Sequence, residues 1–337
     1  MSDKSKIEWT DATWNPIRGC SRVSEGCRNC YAEHTAARFS GKGKPYEGLA
    51  TIKNVQRPDG STATTEYHWT GEVRLVESAL DAPLRWKKPR MIFVNSMSDL
   101  FHEKVSDLRI DLLFKIMREC PQHTFQILTK RAFRMKEYFE RPLEWAISHA
   151  FPLPNVWLGV SVEDQKTADE RIPLLLNTPA AVRWVSYEPA LGPVDFGQWI
   201  EYANPAMHLT WLDGLDWIVC GGESGAHARP MHPDWARLVR DQCQAAGVPF
   251  FFKQWGEWTS CDQYSTEQML DNRTFQGAKV KRSEACGYYC CEEHGHIDHG
   301  EVQMIRVGKK RAGRLLDGRE WNQFPDPNPC TVLRAST

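Results

Sequence analysis

The chain reads as an α/β protein whose parallel strands build a partial or distorted (β/α) barrel, followed by a C-terminal extension. Three observations predict this. Short apolar runs alternate with helical stretches along most of the chain, the order of a βα-repeating fold. The runs are rich in β-branched and aromatic residues and apolar at successive positions, as strands covered on both faces require. Nearly every run ends in a polar cluster, which places chemistry-bearing side chains at one end of the sheet. A doubly wound open sheet is the alternative reading.

In chain order, a first strand lies near Thr13–Ile17, and a cysteine-rich loop follows it. Further strands are expected at Met91–Val94, Phe125–Leu128, Val156–Val160, Val182–Val185, Trp217–Cys220 and Pro249–Phe252, giving seven in all. Helices are expected at Ser106–Glu119, Arg134–Phe139, Thr167–Leu176 and Pro233–Ala246. The last has the clearest punctuation, since Pro233-Asp234 favours a first turn and Gly247-Val248-Pro249 stops a helix.

The strand ends carry Asn95-Ser96-Met97-Ser98-Asp99, Thr129-Lys130-Arg131, Ser161-Val162-Glu163, Ser186-Tyr187-Glu188, Gly221-Gly222-Glu223-Ser224-Gly225 and Lys253-Gln254-Trp255-Gly256. One polar strand end is ordinary; six at the same end of consecutive strands point to a site. Asp99 has an equally good structural reading as the cap of the following helix. Lys130 or Arg131 would serve equally well in pairs with surface carboxylates. The glycine-rich Gly221–Gly225 segment is no nucleotide-triphosphate loop, because the Gly-Lys-Ser/Thr ending is missing and Glu223 would repel a phosphate. Glu188, Glu223, Ser224, Lys253, Gln254 and Trp255 are therefore candidates for lining a substrate pocket.

Formal net charge is −1 over 337 residues, so bulk electrostatics gives no argument for a nucleic-acid partner. The basic runs Arg85–Arg90 and Gly308–Arg314 read first as solvated surface. Eleven cysteines with no export signal fit a reducing, cytoplasmic setting, and no apolar run reaches membrane-spanning length. Trp9, Trp14 and Trp255 flank the cysteine loop or a strand end, with core packing as their default reading.

The sharpest signal is Asn15-Pro16-Ile17-Arg18-Gly19-Cys20, then Cys27-Arg28-Asn29-Cys30-Tyr31-Ala32. Three thiols within one loop converge on a soft metal centre. A closed zinc site needs a fourth ligand, yet His34 falls on an expected helix and the next thiol is Cys120. Three cysteines and one open position suit a [4Fe-4S] cluster in which one iron takes a substrate or cofactor.

These residues resemble the cluster loop of radical S-adenosylmethionine enzymes, in particular the group that includes spore photoproduct lyase. The spacing here is Cys-x6-Cys-x2-Cys, with Asn29 before the third cysteine; that group usually carries Cys-x3-Cys-x2-Cys with an aromatic residue there. A turn around Ser21–Gly26 would absorb the longer gap. Over most of its length the chain is similar to a three-cysteine phage-protein family, a domain of unknown function. The lyase-like resemblance implies a [4Fe-4S] cluster on Cys20, Cys27 and Cys30 and bound S-adenosylmethionine. It implies that Asn95, Ser96, Ser98 and Asp99 meet the cofactor's amine, that Lys130 meets its carboxylate, and that Ser161 and Glu163 meet its ribose. It also favours nucleic acid or a nucleotide as substrate, with a reductant or protein partner supplying electrons.

The domain reading is a barrel over 1–256, a Cys/His-rich insertion over 257–300 and a C-terminal segment over 301–337 that packs on the barrel. The insertion holds Cys261, Cys286, Cys290, Cys291, His294, His296 and His299, enough for a zinc site but with no standard finger spacing. Two other functions stay open on the sequence. One is a zinc-bound nucleic-acid-binding module; the other is a noncatalytic iron–sulfur partner protein.

Overall fold

The computed structural model describes residues 4–55, 64–141, 151–200, 209–260, 277–281 and 301–326. The expected Cys/His-rich metal site falls on Cys261, Cys286, Cys290, Cys291, His294, His296 and His299, all outside the described residues. By internal contacts the chain divides into two units. The first is residues 1–160 with 177–181, and the second is residues 161–176 with 182–337.

In the first unit the chain runs through β1 (Ala12–Trp14), β2 (Ile17–Arg18), α1 (Tyr31–Arg38), β3 (Ala50–Val55), β4 (Thr64–Trp69), β5 (Arg74–Leu75) and α2 (Ala82–Arg85). It continues through β6 (Met91–Val94), α3 (Asp107–Arg118), β7 (Thr124–Thr129), α4 (Ala132–Glu140) and β8 (Val156–Val162), and the unit boundary passes through β8. Strands β1, β6, β7 and β8 pair in that order, all parallel. Every residue of β8 is buried, as its unbroken apolar run requires. Helix α3 supplies Ile110, Leu113, Phe114 and Met117, spaced to share one face and all essentially without exposure. The expected first strand at Thr13–Ile17 is instead two short pieces, β1 and β2, because β2 leaves the parallel sheet to pair antiparallel with β5. The sequence pattern also omits the antiparallel β3–β4 hairpin, whose Ala50, Tyr67 and Trp69 pack with Ala36 and Ala37 of α1.

The second unit contains α5 (Gln165–Leu176), β9 (Val182–Tyr187), α6 (Trp211–Gly214), β10 (Trp217–Gly221), α7 (Pro233–Ala246) and β11 (Phe250–Gln254). After these come β12 (Trp258–Ser260), β13 (Gly277–Lys281), β14 (Glu301–Arg306) and α8 (Lys309–Ala312). Strands β9, β10 and β11 pair in that order, again parallel. Helix α7 has the expected limits: Pro233 opens it, His232 accepts the Asp234 amide at 3.1 Å, and Gly247 closes it at φ 66°. Strands β12, β14 and β13 form a separate antiparallel sheet.

Within each unit the parallel strands follow chain order without reversal. A doubly wound sheet requires a reversal, and neither unit has one. The α/β class holds, and the strand order is compatible with a partial (β/α) barrel. Among the described residues, no helix is long and apolar enough to cross a membrane.

Candidate metal centre

The cysteine loop is built by its neighbours in the first unit. Gly19 sits at φ 93°, where a Cβ would lie 2.0 Å from the Glu72 carbonyl oxygen, so only glycine fits before Cys20. Gly19 also bridges to Ser98, which brings the loop to the polar end of β6. The extra residues between Cys20 and Cys27 are taken up by a short 3₁₀ turn over Glu25–Cys27, closed by the Cys27 amide on the Ser24 carbonyl at 3.0 Å. Cys30 is the residue preceding α1, and His34 lies on that helix with its ring 4.3 Å from Tyr67. Arg22, inside the loop, ties it to α1 by gripping the fully buried Glu33 through contacts of 2.6–3.1 Å. Glu33 in turn accepts the Trp69 amide at 2.7 Å.

Asp99 is the hub of the strand ends. It does not cap the next helix, which begins at Asp107 behind Ser106. Its carboxylate instead accepts Thr129 Oγ1 at 2.7 Å, the Phe101 amide at 3.0 Å, the Lys130 amide at 3.2 Å and Arg131 Nη1 at 3.1 Å. Arg131 is not a surface charge. It is 7 % exposed and reaches Glu103, the carbonyl and hydroxyl of Ser21, and Cys20 Sγ at 3.9 Å. Burial works against its charge, and Asp99, Cys20 and Glu103 together hold it protonated. His102, also buried, accepts the Lys104 amide on Nδ1, which leaves its Nε2–H to donate to Ser21 Oγ at 3.0 Å. Burial and then Arg131 push its pKa down, so the ring is neutral at pH 7.

The other polar residues just past β6 are spent mainly on the cysteine loop and its approach. Ser96 Oγ donates to Asn15 Oδ1 at 3.1 Å, and Ser98 Oγ donates to the Ile17 carbonyl at 2.8 Å. Asn95 adopts φ 59° and accepts the Ile17 amide, but its buried Nδ2 has no hydrogen-bond partner. An orphan donor there costs stability unless something accepts from it.

Two of the sulfur atoms, those of Cys20 and Cys30, are already provided with donors. Burial is the main cause raising the Cys30 thiol pKa, while the amides of Glu33 and Ala32 work the other way by donating to its sulfur. Burial also pushes Cys20 up to about 12; Asp99, Cys30 and Cys27 add to the rise and Arg131 opposes it. Three clustered thiols, with N–H groups on the sulfurs of Cys20 and Cys30, are a donor set suited to a cationic soft centre, which releases their protons on binding. As the side chains stand, no group of three or more His, Cys, Asp and Glu among the described residues is arranged to hold a metal ion.

Metal-free protein should show the consequence chemically. A rise of the Cys20 pKa from 9.0 to about 12 cuts its thiolate roughly a thousandfold, and the greater nucleophilicity of a more basic thiolate offsets part of this. Cys20 is therefore expected to react with iodoacetamide roughly 50-fold more slowly than an unperturbed thiol at pH 8. Its rate should keep climbing beyond pH 10, as peptide mapping by mass spectrometry would show.

The second unit holds the other candidates. Ser161 is buried and its carbonyl accepts Arg171 Nη1 at 2.6 Å; the Glu163 carboxylate is ion-paired with the same guanidinium at 3.1 Å. Glu188 and Lys253 form a second pair, joined by Gln254, while Glu223 is held by Arg229 at 2.7 Å. Ser224 is half-buried. Trp255 is 1 % exposed, with its indole N–H on the Leu315 carbonyl, and Trp9 and Trp14 are likewise buried, in line with core packing.

A family model described as a protein of unknown function, DUF5131, matches residues 4–325. The chain belongs to this family. No curated protein and no solved structure matches it. The DUF5131 match spans nearly the whole chain, including most of the C-terminal segment, and bears neither on radical chemistry nor on a phage source. For this DUF5131 member the sequence pattern singles out the three cysteines and Asp99. It passes over Ser21, His102, Glu33 and the role of Arg131, whose sole signal was its place beside Lys130 at a strand end.

Proposed function

We infer that the protein is a radical S-adenosylmethionine enzyme whose cluster is carried by Cys20, Cys27 and Cys30. The observation that supports this most is the linkage of the cysteine loop to the ends of β6 and β7, made by Arg131 between Asp99 and Cys20 and by the Gly19–Ser98 bridge. A structural zinc loop has no need of strand-end chemistry. Cys20, Cys27 and Cys30 would hold a [4Fe-4S] cluster, which, given one electron by an external reductant, would supply reductive cleavage of bound S-adenosylmethionine to methionine and a 5′-deoxyadenosyl radical able to take hydrogen from a substrate. Arg131 fixes Cys20 and Ser21, and Asp99 fixes Arg131 together with Thr129. Asn95 offers the unpartnered Nδ2 donor near the loop. Lys130, whose amide is held by Asp99, is assigned to the cofactor's carboxylate.

Lys130→Ala is expected to keep its iron and to bind S-adenosylmethionine more weakly by roughly 1.5–3 kcal/mol, the range for a charge-assisted hydrogen bond. Anaerobic calorimetry with parallel iron analysis measures both. Unchanged affinity with full iron would remove Lys130 from the cofactor site. Iron-replete wild-type protein that binds no S-adenosylmethionine would remove the radical assignment altogether.

A further inference from the structure

The carboxyl ends of β9, β10 and β11 carry a polar group that the cluster reading does not use. Pairing of β10 with β11 runs Cys220 to Phe252 and then Gly221 to Gln254, skipping Lys253. Such a bulge re-aims side chains, and here the consecutive residues Lys253 and Gln254 both reach Glu188, although neighbours on a regular strand point to opposite faces. Lys253 Nζ lies 2.8 Å from each Glu188 oxygen, using two of its three N–H donors. Gly221 makes room for the carboxylate, since a Cβ there would come within 3.3 Å of it.

Gln254 is the residue left incomplete. Its Nε2 faces two acceptors, Glu188 Oε1 at 3.3 Å and the Gly222 carbonyl at 3.4 Å, which fixes the amide's orientation. Its Oε1 therefore turns away from both, is buried, and accepts from nothing, although the residue is only 4 % exposed. Glu188 and Lys253 keep 18 % and 14 % of their side chains in contact with solvent, so this pair is reachable from outside, and a ligand that parts it reaches the covered Oε1. A buried carbonyl oxygen without a donor is costly, and this one lies at the carboxyl end of parallel strands beside a solvent-touching ion pair.

We propose that Glu188, Lys253 and Gln254 form a binding site for a neutral amide or lactam group. Gln254 Oε1 accepts its N–H, and the third Lys253 N–H donates to its carbonyl. Charge selects the class: Glu188 repels a carboxylate and Lys253 repels a cation, while the pair together is neutral. The proposal stands apart from the cluster and holds whether or not iron is bound.

The test uses 2-piperidone and N-methyl-2-piperidone, titrated to about 10 mM with the full chain and followed by saturation-transfer NMR. The expected result is binding of the lactam and at least about tenfold weaker binding of its N-methyl form, which lacks the N–H. Gln254→Met should weaken the lactam to the level of the methylated compound. Equal response to both compounds, or none to either, would overturn the proposal and leave Oε1 an unsatisfied core acceptor. Should Gln254→Met fail to fold, the comparison of the two lactams on the wild-type protein decides alone.

Discussion

Protein purified without oxygen is expected to carry about four irons and four sulfides per chain, and Cys27→Ala to lose nearly all of them. The loss should be large because a three-thiolate site has no protein ligand in reserve, and two thiolates hold a cluster poorly. Cys20→Ala should behave alike, since the 3₁₀ turn over Glu25–Cys27 absorbs the longer spacing without removing Cys20 from the strand ends. Metal analysis and the electron paramagnetic resonance of the reduced protein are the measurements. One equivalent of zinc without iron would sink the cluster assignment. Unchanged iron in Cys20→Ala would remove that residue from the ligand set.

Gly256→Ala is expected to be the most damaging conservative change in the second unit. At φ 84° its Cβ would sit 2.0 Å from the Glu223 carbonyl oxygen, and neighbouring Gly222 meets the Trp255 carbonyl at the same distance. Backbone stands against backbone, so no side chain can swing aside. Left-handed strain together with the displaced strand end should cost about 3–5 kcal/mol and lower the melting temperature by roughly 6–15 °C. Gly43→Ala is the control, because Gly43 shares a positive φ of 73° but has nothing within 4 Å of the added carbon. It should lose only about 1–2 kcal/mol. Similar melting temperatures for the two variants would show that the packing around Gly256 yields.

The fold was legible where local chemistry and packing agree. Met91–Val94 and Pro233–Ala246 have the expected limits, since an apolar run between polar flanks and a Pro-to-Gly interval each carry their own punctuation. The β3–β4 hairpin was not legible, because Lys53, Glu66 and His68 interrupt its apolar residues and its partner face is the small-residue side of α1. At the metal centre the cysteines were visible as a motif. Arg131 and His102 were not, because their importance comes from burial beside residues distant in sequence: Ser21 lies 110 positions from Arg131. Asp99 was visible as a polar strand end, but the choice between helix cap and hub depended on where Arg131 and Thr129 would come to lie.

Cys30 occupies two roles at once, closing the cysteine loop and opening α1, and three residues later Glu33 binds both Arg22 of the loop and the amide of Trp69 in β4. Occupancy of the thiols and the integrity of the hairpin are consequently not separate properties. Whatever draws Cys30 toward a metal pulls on the helix that carries Glu33, so the hydrogen-exchange rate of the Trp69 amide becomes a gauge of loading, read at a position that touches no sulfur.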